Sequence, residues 1–123
     1  MFNVGYCYDT GTGVRPSRSA ALYWYKRAYR RGDGAAARAI GMIWNDKQNL
    51  KRALYWFQRA VTLGDDDSNL QIARLHIRSD RDASKAIPYL KLVCQSGRVT
   101  EETAVEARKL LKRISFRKKG AGS

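Results

Sequence analysis

One eight-residue stretch occurs twice, 32 residues apart: Ala21-Leu22-Tyr23-Trp24-Tyr25-Lys26-Arg27-Ala28 returns as Ala53-Leu54-Tyr55-Trp56-Phe57-Gln58-Arg59-Ala60. A degenerate third copy follows after 33 residues as Ala86-Ile87-Pro88-Tyr89-Leu90-Lys91-Leu92-Val93. In each copy small or apolar residues fall at i, i+3, i+4 and i+7, one face of an α-helix. A fixed period of this length marks stacked helical repeats, because one helix pair cannot bury its apolar face alone. The predicted fold is all-α: an α-solenoid of stacked antiparallel helix pairs, about three repeats plus a C-terminal capping helix, about seven helices in total.

The spacing places the repeats at about 1–32, 33–64 and 65–97, with the capping helix at about 100–114. Residues 115–123 are expected to be disordered, and Gly120-Ala121-Gly122-Ser123 reads as a linker-like end. Pro16-Ser17 opens the second helix and Gly32 stops it; Asp33 or Gly34 begins the third. Gly5, Gly41 and Ala73 occupy one recurring site inside the first helix of each pair. Glycine inside a helix costs roughly 1 kcal/mol against alanine, so a neighbouring helix passing close by is expected there. Pro88 either lies in a late-starting first turn or kinks its helix. Thr100 is a candidate cap for the last helix, with Glu101 and Glu102 in its first turn.

Composition bears chiefly on partners. The 123 residues carry a net charge of +13, spread unevenly: +5 over 1–32, +3 over 33–64, zero over 65–97 and +5 over 98–123. A neutral middle between basic ends is unlike one continuous phosphate-tracking groove, yet the field would steer an acidic partner or a nucleic acid. No run of about 18 apolar residues that would span a membrane is present. Residues 1–8 have no basic n-region and no small-residue cleavage site, so a cytoplasmic location is expected if Met1 is the natural start. A fragment of a longer protein is the other reading. Cys7 and Cys94 show no metal-ligand spacing and read as small core hydrophobes in a reducing compartment.

Catalysis finds little support. His76 is the only histidine, and no nucleophile elbow, phosphate loop, HExxH or zinc cluster accompanies it. Asp65-Asp66-Asp67-Ser68 lacks the alternating spacing, central glycine and distal glutamate of a calcium loop; helix-dipole stabilisation is the expected role. No enzyme activity, cofactor or metal is expected. Trp24, Tyr25, Trp44, Trp56, Phe57 and Tyr89 are assigned to inter-helix packing, where each ring buries roughly 150–250 Å², about 4–6 kcal/mol gross before entropy. A base-stacking platform would require those rings to be exposed.

The pattern Gly5-Tyr6-Cys7-Tyr8, Gly11-x-Gly13-Val14, Ala21-x-x-Trp24-Tyr25-x-x-Ala28 and Gly32-Asp33 resembles the Sel-one-like repeat, a tetratricopeptide-like helical hairpin. The resemblance spans about residues 1–97. It implies a right-handed superhelix acting as a protein-interaction adaptor, often in bacterial signalling, envelope or secretion settings, and supplies no catalytic residues. Repeats two and three lack the Gly-x-Gly-Val turn, and the paired cysteines of the secreted relatives are absent.

Binding is therefore the expected function. The first helix of each pair usually lines the concave side, where Asn3, Tyr6, Arg38, Met42, Gln71, Arg74 and Arg78 are not needed by the core. They are the candidate partner-binding residues for a protein or peptide, an acidic one being favoured by the charge. An alternative anion-binding patch runs along the second helices, through Lys26, Arg27, Arg30, Arg31, Arg52 and Arg59. With Lys109, Lys112, Arg113, Arg117, Lys118 and Lys119 it would suit nucleic acid or another polyanion, against a solvated face that only aids solubility. A toxin-neutralising role, from the family's habits, is a third option. Residues repeated in every copy serve the stack, so specificity is expected where the copies differ, at Tyr6, Met42 and Arg74.

Overall fold

The computed structural model describes residues 1–79 and 83–121, with 116–121 as helical backbone. Among the described residues there are seven α-helices and no strand: α1 (Phe2–Thr10), α2 (Arg18–Arg30), α3 (Gly34–Asp46), α4 (Leu50–Thr62), α5 (Ser68–Ser79), α6 (Ala86–Gln95) and α7 (Glu101–Ala121). They fall into two units, Met1–Asp65 and Asp66–Ser123. Consecutive helices pack pairwise within each: α1 on α2, α2 on α3 and α3 on α4 in the first, α5 on α6 and α6 on α7 in the second.

Local sequence sets the helix entries of the first unit. The Ser17 hydroxyl accepts the Ala20 N–H at 3.2 Å, Asp33 accepts that of Ala36 at 3.3 Å, and Asn49 accepts that of Arg52 at 3.1 Å. Each satisfies one of the amide donors that a helix start leaves open. The core of this unit joins Ala21, Tyr25 and Ala28 of α2 to Ala36, Ile40 and Ile43 of α3, with Phe2 and Tyr8 packed on it from α1.

Close approach explains the recurring small residue. A Cβ at Gly5 would stand 2.7 Å from Cδ1 of Tyr25, and one at Gly41 would stand 2.6 Å from Cε1 of Phe57. Tyr25 and Phe57 are the matched, fully buried rings of the second helices. In the third copy the pair becomes Ala73 and Leu90, both in the core of the second unit. A smaller partner side chain leaves room for the methyl.

This contact survives a change in the turn. Residues 11–17 join α1 to α2, but only 47–49 join α3 to α4, which is four residues fewer. The separation from Gly41 to Phe57 is shorter than that from Gly5 to Tyr25 by the same four residues. The missing Gly-x-Gly-Val turn therefore shortens the hairpin and keeps its packing.

In the second unit, Leu70 and Ala73 of α5, Ala86, Leu90 and Val93 of α6, and Ala107, Leu110 and Ile114 of α7 form one core. Pro88 is the third residue of α6, in its first turn, where no intrahelical amide bond is lost. The late-starting helix is the alternative realised. Asp80 and Asp82, which by sequence offer an acidic start for this helix, lie outside the described residues. Thr100 caps α7 by accepting the Thr103 N–H at 3.2 Å, and the helix extends to Ala121, past the boundary at 114 expected from the sequence.

The acidic run stands immediately before α5, at the start of the helix, and its carboxylates also serve tertiary contacts. Asp65 pairs with Arg38 at 3.5 Å, and Asp67 accepts the Thr100 N–H at 3.1 Å. Asp66 accepts from the Ser96 hydroxyl at 2.8 Å and from Arg98 Nε at 3.1 Å. Cys94 is exposed rather than part of the core, while Cys7 is half-buried; both are free thiols. Trp24, Trp44, Trp56 and Tyr89 are only half-buried, unlike Tyr25 and Phe57.

Candidate functional site

The first-helix residues expected to face a partner differ in exposure and in what engages them. Tyr6 is 52% exposed and Met42 39% exposed, and Asn3 is exposed beside Tyr6 on α1. Arg38 is half-buried and tied to Asp65. Arg74 is exposed but pairs with Glu106 at 3.4 Å. Arg78 is exposed near the end of α5. The expected positive charge of the first helices is thus largely paired within the protein.

Two of these residues do come together. Gln71 and Arg74 of α5 face Glu102, Thr103, Glu106 and Lys109 of α7 across a cavity of about 490 Å³, with Leu70 and Val105 as its apolar part. Charges of both signs border a short apolar floor. Such a cleft suits a peptide that presents an apolar side chain between polar groups, rather than a uniformly charged ligand.

The anion patch is more coherent. Arg27, Arg30 and Arg31 line one cavity of about 260 Å³ together with Met1 and Tyr23. Lys26, Arg52 and Arg59 lie outside it. The Arg52 guanidinium instead sits 4.6 Å from the Trp44 ring centroid, and Lys47 approaches the same ring at 5.1 Å. The Trp44 indole N–H is buried with no hydrogen-bond partner among the described residues.

Two residues missed by sequence reasoning carry the exposed aromatic surface of α2 and α4. Tyr23 is 54% and Tyr55 50% exposed. Each stands edge-on to the following tryptophan, with centroids 5.3 and 5.4 Å apart. Each also holds the arginine one turn later: Arg27 donates to the Tyr23 hydroxyl at 2.9 Å, and Arg59 Nε donates to that of Tyr55 at 3.3 Å. The guanidinium carbons lie 5.6 and 5.4 Å from the respective tyrosine centroids. The Tyr55 hydrogen bond, with nearby tyrosines, raises the Arg59 pKa further. The available signal was the i, i+4 Tyr–Arg spacing on the side of the helix away from Ala21, Tyr25 and Ala28.

His76 stacks on Tyr89 with centroids 5.5 Å apart. Burial, and then the nearby Asp9, push the Tyr25 phenol above its ordinary pKa; its hydroxyl donates to Asp9 at 3.3 Å. Among the described residues no group of three or more His, Cys, Asp or Glu side chains is placed to hold a metal ion. Among the same residues no helix is long and apolar enough to cross a membrane.

A search of the curated proteins finds no match to the chain. The Sel1 repeat family model matches residues 1–33 and 41–65. These stretches contain Gly5, Tyr25, Gly41 and Phe57, the residues that lock the two hairpins. The match thus covers two repeat units.

Proposed function

We propose that the chain is a non-enzymatic scaffold that binds a protein or peptide through its first helices, the copy-specific residues Tyr6, Met42, Gln71 and Arg74 making the contacts. The Sel1 match is the observation that carries this reading, since Sel1 and tetratricopeptide-like repeats generally serve protein–protein interaction. The distribution of burial supports it: the repeated residues Ala21, Tyr25, Ala53 and Phe57 are spent on packing, whereas Tyr6 and Met42 are exposed. Tyrosine, methionine and arginine are residue types enriched at interfaces. In Asp66–Ser123, the cleft between α5 and α7 is the proposed seat of a peptide side chain.

Affinity capture from the native cell, followed by titration of the purified partner, tests the reading. Tyr6→Ala with Met42→Ala, and separately Gln71→Ala with Arg74→Ala, are expected to weaken the partner at least tenfold without unfolding the chain. A partner held equally by wild type and both variants would contradict it.

A further inference from the structure

The first unit has a sharp division of charge. Its four carboxylates are all engaged: Asp9 with the Tyr25 hydroxyl, Asp33 as the α3 cap, Asp46 with Arg18, and Asp65 with Arg38. Eleven lysines and arginines stand against those four acids in residues 1–65. Neither α2 nor α4 contains an acidic residue. On those two helices and at the end of α2, Arg27, Arg30, Arg31, Arg52 and Arg59 are exposed, and none forms an ion pair among the described residues. The positive field of this unit is therefore borne by its second helices.

That charge is combined with exposed rings in a repeated geometry. Tyr23 with Arg27, and Tyr55 with Arg59, place a guanidinium and a half-exposed ring side by side, 32 residues apart. An edge-to-face contact between Tyr29 and Trp56, with centroids 5.0 Å apart, links α2 to α4. The third copy has Pro88 and Leu92 at the two matched positions, yet α6 packs between α5 and α7 without the pair. Stacking a helix hairpin does not require the Tyr–Arg pair, so its presence in two copies calls for another role.

We propose that the α2–α4 face of Met1–Asp65 binds single-stranded nucleic acid, with Tyr23–Arg27 and Tyr55–Arg59 as two equivalent base-and-phosphate contacts. Arg30 and Arg31 add phosphate contacts at the cavity they share with Arg27. A guanidinium offers paired donors to phosphate oxygens, and bases stack on aromatic faces and guanidinium planes alike. A single strand exposes both groups at once. A duplex shields its bases, and an acidic protein segment answers the charge but offers no planar bases to stack on the rings. An anionic membrane would favour long apolar side chains projecting among the charges, whereas the exposed large hydrophobics within α2 and α4 are the two tyrosines. This inference does not rest on the scaffold reading, because it uses none of Tyr6, Met42, Gln71 or Arg74.

The test is fluorescence anisotropy of the full chain with a labelled oligouridylate and an oligothymidylate of equal length, at about 50 and about 200 mM salt. The same-length duplex, polyglutamate and phosphatidylserine-containing vesicles serve as competitors. The single strand is expected to bind most tightly. Tyr23→Leu with Tyr55→Leu should weaken it roughly tenfold or more, as loss of base stacking implies, with no change in salt dependence. Arg27→Gln with Arg59→Gln should weaken it and make the log–log salt slope shallower by about 1.4, two phosphate contacts on a single strand. Arg27→Lys with Arg59→Lys keeps the charge, and is expected to retain the slope while losing affinity. Circular dichroism melting checks each variant; should the leucines lower Tm, Tyr→Gln at both sites removes the ring with a side chain that suits an exposed helix face, whereas Tyr→Phe keeps the stacking ring and is expected to bind like wild type. Equal or tighter binding of duplex, polyglutamate or vesicles, or ring-less Tyr→Leu or Tyr→Gln variants that bind like wild type, would overturn the proposal.

Discussion

Gly41→Ala separates close packing from helix propensity, because the two predict opposite signs. On propensity alone the substitution stabilises α3 by about 1 kcal/mol. The added Cβ, however, would stand 2.6 and 2.7 Å from two ring carbons of Phe57, well inside van der Waals contact. Phe57 has no exposed surface, so the ring cannot swing into solvent to make way. Overpacking of this kind costs about 1–3 kcal/mol, and a site this tight belongs toward the upper part of that range. A net loss of about 1–2 kcal/mol is expected, visible as a drop in Tm of roughly 3–8 °C.

The third copy supplies the compensating change. Ala73 and Leu90 occupy the same two positions and share one core. Phe57→Leu alone leaves a gap and should cost about 1–3 kcal/mol. Gly41→Ala with Phe57→Leu should cost less than the sum, with a coupling energy of at least about 1 kcal/mol in a double-mutant cycle. Circular dichroism melts of the four proteins give the answer. A Gly41→Ala protein that melts higher than wild type, or effects that add, would refute the close-approach argument.

Other outcomes follow from single contacts. The Tyr25 phenol is raised above its ordinary pKa of 10.0 by burial and then by Asp9. Above about pH 10 the unfolded chain loses this proton first, so stability falls as pH rises there; Tyr25→Phe should flatten the alkaline part of a Tm–pH profile. Asp66 joins Ser96 and Arg98, with its own side chain 15% exposed and that of Arg98 71% exposed. Solvent screening makes the ion pair worth little, so Asp66→Ala should cost about 1–2 kcal/mol and Arg98→Ala less than about 1 kcal/mol by urea unfolding. Asn49 caps α4 through the Arg52 N–H; Asn49→Ala should cost about 1 kcal/mol and Asn49→Asp almost nothing by the same measurement.

What the sequence disclosed was the part governed by local rules. Helix existence, the caps Ser17 and Asp33, and the close-approach site at Gly5, Gly41 and Ala73 all follow from spacing and backbone chemistry. The identity of the opposing ring was hidden, because the four-residue change in the turn moves Phe57 relative to Gly41 along the chain while keeping it fixed in space. The acidic run was legible as charge but not as contact. Asp66 meets Arg98 across 32 positions, and no local pattern encodes such a pairing. Arg38 and Arg74 looked available because their acidic partners, Asp65 and Glu106, are each more than 25 positions away. Tyr23 and Tyr55 were passed over because their neighbours Trp24 and Trp56 drew the packing assignment. The helical phase that buries Ala21, Tyr25 and Ala28 turns Tyr23 outward.

The central claim is that repeated buried residues build the stack while copy-specific exposed residues of the first helices recognise the protein partner. Paired measurements of partner Kd and protein Tm test it most directly, on Tyr6→Ala/Met42→Ala and on Tyr25→Leu. The first variant is predicted to raise Kd at least tenfold with Tm within about 2 °C of wild type, because surface substitutions usually stay within 0.5 kcal/mol. Tyr25→Leu is predicted to lower Tm while the protein that remains folded keeps its Kd. An unchanged Kd for Tyr6→Ala/Met42→Ala would contradict the claim.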